Sequence, residues 1–81
     1  MPGMAKVVPT MEEWELEYVE NSCRAYMRSK DGCTDNWLRG ILRASEPATV
    51  DRVLKKQSGE FQRLNAERFL RLGVLWNEVR F

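Results

Sequence analysis

Apolar residues in this chain recur at three- and four-residue intervals, and nowhere do they alternate as in a half-buried strand. Three short runs interrupt the pattern: Asp31-Gly32, Ser45-Glu46-Pro47-Ala48 and Ser58-Gly59. A chain patterned in this way is expected to be all-α, a compact bundle of about four helices. Its 81 residues hold one core. Residues 10–81 therefore read as a single helical domain, preceded by a disordered segment, residues 1–9.

The first helix is expected from Thr10 to about Ser29. Thr10 and Glu13 have the spacing of a capping box, and Glu12, Glu13, Glu15 and Glu17 suit the positive end of the helix dipole. Glu20 and Arg24 are spaced for an i,i+4 ion pair. Leu16, Val19, Cys23, Tyr26 and Met27 form one apolar stripe, with Met11, Trp14, Tyr18 and Ala25 as a second beside it. That arc is wider than one neighbouring helix covers, so part of it is expected to face a partner.

A second helix, capped at Thr34 or Asp35, carries Trp37, Leu38, Ile41 and Leu42 and ends near Ala44. Proline at position 47 ends helical geometry before it and tolerates only the first turn after it. A third helix, from about Ala48 to Gln57, turns Val50, Val53 and Leu54 inward and Arg52, Lys55 and Lys56 outward, and Ser58-Gly59 is expected to stop it. A last helix begins near Glu60 or is capped by Asn65, with Phe69, Leu72, Leu75, Trp76 and Val79 on its inner side. Gly73 within that run predicts a close helix crossing.

The residue inventory argues against catalysis. There is no histidine, which removes the commonest general base and metal ligand, and neither a phosphate-cradling glycine loop nor a glycine-framed serine is present. Cys23 and Cys33 lack the spacing and co-ligands of a zinc site. No metal, cofactor or small-molecule substrate is expected. Without an apolar run long enough for export or a membrane span, the protein is expected to be cytoplasmic, with both thiols reduced. The carboxylate pairs Glu13/Glu17 and Asp31/Asp35 read as solvated structure.

The segment from Thr34 to about Leu72 combines a short helix, a break and a helix with basic outward residues. Within it, Ser45-Glu46-Pro47-Ala48-Thr49-Val50-Asp51-Arg52-Val53-Leu54 resembles the turn and recognition helix of repressor-type helix-turn-helix domains. The resemblance spans under half the chain. At the turn it departs from the family, which favours glycine and an apolar residue where this chain has Ala44, Ser45 and Glu46. It implies a DNA-binding regulator in which Thr49, Arg52 and Lys56 meet base edges while Lys55 and Arg63 meet phosphates of double-stranded DNA.

Composition supports a second reading. Three tryptophans, two tyrosines, three phenylalanines and four methionines exceed the needs of so small a core. Met11, Trp14 and Tyr18 have the character of an interface anchor. The protein would then be an inhibitor or adaptor acting on a larger protein complex, in the manner of small accessory proteins of mobile elements, or a homodimer through the first helix. The net charge of +1 conceals a balance of −3 in residues 1–35 and +4 in residues 36–81. Such polarity would orient the molecule on either kind of partner.

Overall fold

A computed structural model describes residues 11–30 and 34–80, all of whose regular structure is α-helical. The Thr10 cap, the 1–9 segment, the Asp31-Gly32 stop and Cys33 lie outside the described residues. Helix α1 spans Met11–Arg28, α2 spans Thr34–Ala44 and α3 spans Pro47–Arg80.

Each helix end has an identifiable cause. The amide of Ser29 donates to the Tyr26 carbonyl at 3.2 Å and tightens the last turn of α1. At the end of α2, Ser45 donates its amide to the Leu42 carbonyl (3.3 Å) and its hydroxyl to the Ile41 carbonyl (2.7 Å). Helix α3 starts with proline at its first position, where the missing N–H is no loss. Its first turn has no acid of its own, so Glu15 of α1 supplies one, its carboxylate accepting the Glu46 amide. The interhelical break is therefore Ser45-Glu46 alone, shorter than the four-residue interruption expected.

The break expected between the third and fourth helices requires correction. Ser58-Gly59 does not stop a helix: the chain remains helical through it, because glycine away from positive φ merely weakens a helix that tertiary packing holds. Helix α3 thus takes in both helices expected after Pro47, and the break between them falls at Asn65, one of the two starts expected for the last helix, whose backbone is extended (φ −167°, ψ 98°). Asn65 caps the second arm of this element, its Oδ1 accepting the Arg68 amide at 3.1 Å. The bend is sharp. Asp51 and Trp76 would stand about 37 Å apart on a straight helix, yet Trp76 Nε1 donates to Asp51 Oδ1 at 2.8 Å. The arm after Asn65 therefore folds back along the arm before it.

This return brings three apolar surfaces together. Val19, Cys23, Tyr26 and Met27 of α1, Leu38 and Leu42 of α2, and Val50, Val53 and Phe61 with Leu72, Leu75 and Trp76 from the two arms of α3 form the core. Leu16, Leu54, Phe69 and Val79 pack at its margin. Phe61 and Phe69 meet across the bend with ring centroids 6.4 Å apart. Burial pushes the Cys23 thiol up to about 12, so it stays protonated at neutral pH and acts as a small apolar filler.

Where α1, α2 and the return arm converge, Arg68 lies over the Tyr26 ring at 4.0 Å. Its guanidinium donates to the Tyr26 carbonyl (2.9 Å) and to the Thr34 hydroxyl (2.7 Å). The Tyr26 hydroxyl donates to Asp35 at 2.6 Å, and Arg71 donates to the other Asp35 oxygen at 2.9 Å. Gly73 has no neighbouring atom within 4 Å of where a Cβ would stand, so the close crossing expected there is absent.

The bend and the junction can each be tested through stability. Asn65→Ala removes the cap and should lower stability by about 1 kcal/mol in urea denaturation, whereas Gly73→Ala should raise it by about 0.5–1 kcal/mol. At the junction the variable is pH. The Tyr26 hydroxyl, then Arg71, hold Asp35 below the ordinary carboxylate range, so its contribution is present above the unfolded value and fades as pH falls through the folded one. In Tyr26→Phe, the Asp35 carboxyl should titrate nearer its ordinary value by NMR, and the protein should lose less stability on acidification below about pH 4.

Candidate functional site

Charge on the folded molecule is divided between internal ties and uncommitted surface. Arg24 of α1 bridges Glu60 of α3 at 2.6 Å and Glu20 at 3.3 Å, and Gln57 donates to Glu20 at 3.0 Å. These two acids hold the Arg24 guanidinium firmly protonated. Arg39 pairs with Glu78 (3.0 Å), Arg71 with Asp35 (2.9 Å) and Arg80 with Asp51 (3.4 Å). Much of the positive charge in residues 36–81 thus ties helices together.

Arg52, Lys55, Lys56 and Arg63 are exposed, and no ion pair among the described residues engages them. Because α3 runs unbroken through Gly59, these four and half-buried Thr49 share one face of its first arm. Arg52 and Arg63 are about 16 Å apart along the axis at roughly 1.5 Å per residue. At one end this stripe meets acid. Glu12 and Leu16 of α1 form a shallow cleft of about 90 Å³ with Ala48, Thr49 and Arg52, and the Glu15 carboxylate sits at the Glu46 amide. Glu12, Glu15 and Glu46 therefore surround the helix end that would read DNA in a repressor-type domain.

The two stripes of α1 separate cleanly. The first is core, while Trp14 and Tyr18 of the second remain 58% and 57% exposed. The Met11 side chain lies outside the described residues. Trp14 and Tyr18 stand one turn apart and, with Glu15, Ala44, Ser45 and Glu46, line an open groove of about 470 Å³ between α1 and the α2–α3 turn. Around the same two rings, Glu17 and Asn21 help line a second hollow of about 170 Å³.

Trp37, which α2 carries with Leu38, Ile41 and Leu42, is 46% exposed. Two apolar flanks cannot both face the core from so short a helix, and Leu38, Ile41 and Leu42 take the inner one. Trp37, Gly40 and Ala44 share the outer flank by their i,i+3 and i,i+4 spacing, all three exposed. Sequence reasoning missed Trp37 and the role of Glu15. The available signal was Gly40, a small residue in phase with Trp37 and Ala44 rather than with the buried leucines. Leu70 and Val74 form a separate exposed pair on the return arm of α3.

Among the described residues no group of three or more cysteines and acids is placed to hold a metal ion, and no helix is long and apolar enough to cross a membrane. No family model, no curated protein and no solved structure matches the chain.

Proposed function

We propose that this is a small non-catalytic binding protein, an inhibitor or adaptor that captures another protein on the face carrying Trp14 and Tyr18. The observation behind this reading is the exposure of both rings beside an open groove, on a helix whose other large apolar side chains, among those described, turn inward. Exposed tryptophan and tyrosine are costly to leave in water, and both are enriched among residues that dominate binding energy. The fold does not use them: the core closes without either.

A second reading, a DNA-binding regulator of helix-turn-helix type, is favoured by the alignment of Thr49, Arg52, Lys55, Lys56 and Arg63 on one helical arm. The acids around the start of that arm weigh against it, since a phosphate approaching there meets Glu12, Glu15 and Glu46.

Trp14→Ala and Tyr18→Ala should each lower partner capture from a host lysate by about tenfold or more, with thermal midpoints close to the parent because both side chains are largely exposed. Arg52→Ala with Lys56→Ala should leave capture intact. If instead this pair abolishes binding to a short DNA duplex at low salt, with affinity falling steeply as salt rises, while the aromatic variants bind as the parent does, the helix-turn-helix reading replaces this one.

A further inference from the structure

The groove has a definite chemical character. Its aromatic wall is Trp14 and Tyr18, and the acids lining it and the adjoining hollow are Glu15, Glu17 and Glu46, with no lysine or arginine among the lining residues. On α2, Gly40 and Trp37 share the exposed flank of the groove residue Ala44 by their i,i+3 and i,i+4 spacing. Gly40 is the informative residue. It sits in mid-helix without positive φ, and no atom lies within 4 Å of where its Cβ would be, so neither backbone conformation nor internal packing requires glycine. Glycine is the poorest helix former after proline, and its presence leaves an open floor between Trp37 and Ala44.

We propose that the face formed by α1 and α2 receives a basic amphipathic helix of a partner protein, its apolar side against Trp14, Tyr18 and Trp37 over the floor at Gly40, its cations against Glu17 and Glu46 at the rim. This rests on the protein-capture reading and adds the occupant's chemistry. Acids line the groove and the hollow with no cation among the lining residues, which disfavours an acidic partner there and favours a basic one; on α2, Arg43 beside Ala44 is exposed. Paired helices with small residues between aromatic ridges suit a helix laid in a groove.

The probes are a synthetic Leu/Lys amphipathic helix and its Leu/Glu counterpart, both free of aromatic residues, added to the intact ¹⁵N-labelled protein. The three indole signals form the readout. Those of Trp14 and Trp37 should shift with the cationic peptide, while that of Trp76, buried and bonded to Asp51, should stay in place as an internal control. Glu17→Lys with Glu46→Lys should weaken the cationic peptide by about tenfold or more and admit the anionic one. Gly40→Leu should block binding while keeping or raising the thermal midpoint, an opposition that damage to the fold would not produce.

Equal response to both peptides, or to neither, overturns the proposal. In that event, loss of lysate capture by Trp14→Ala would still uphold the broader reading, whereas unaltered capture would sink both. A concentration-dependent dimer abolished by Trp14→Ala would assign the groove to a second copy of this chain, and displacement of the cationic peptide from the groove by duplex DNA would assign it to nucleic acid. Either result overturns the proposal.

Discussion

The fold turns on the reversal at Asn65 and the arginine that secures it. A single asparagine leaves helical geometry, caps the next segment and allows the second arm of α3 to return along the first. Arg68, three residues on, fixes where that arm arrives by stacking on Tyr26 and donating to the Tyr26 carbonyl and Thr34 hydroxyl. Those acceptors belong to the end of α1 and the start of α2, so one guanidinium joins three helices. Arginine suits the position because its planar fork stacks and donates in several directions at once, which an ammonium cannot do.

Once the reversal is made, the remaining charges fall into place around it. Tyr26, Asp35 and Arg71 extend the same junction, and Arg24 with Glu20 and Glu60 joins α1 to the first arm of α3. Among the described residues no buried side-chain polar atom lacks a hydrogen-bond partner. This satisfaction gives the residues left over their meaning. Arg52, Lys55, Lys56 and Arg63 on one side, and the aromatic groove on the other, are not consumed by the junctions or the core.

Two glycines show a related economy. Gly40 and Gly73 each weaken a helix without any internal neighbour that would forbid a methyl group. Gly40 lies between Trp37 and Ala44 on the exposed flank of α2. Its lack of a side chain lowers that flank. Stability forgone on a surface that also leaves tryptophan in water is consistent with a site shaped for something outside the chain.

Much of the secondary structure was legible in the chain, since apolar spacing and capping chemistry are local. The span of α1, the limits of α2 and the capping role of Asn65 are set by residues within a few positions of one another. Ser58-Gly59 misled because a serine–glycine pair weakens a helix locally, while the decision to continue belonged to Val53 and Phe61 burying themselves on the same core face. The exposure of Trp37 was not legible, because periodicity gives a helix's apolar flanks but not which one its neighbours cover. Sequence alone determined that this chain is helical, where most helices start and stop, and that its chemistry is poor in catalytic groups. Only the tertiary structure decided which arginines are spent on junctions, that the aromatics of α1 and α2 stay outside, and that acids rim the groove beside them. Those are relations between residues distant along the chain, and the return at Asn65 settles them by choosing which surfaces meet.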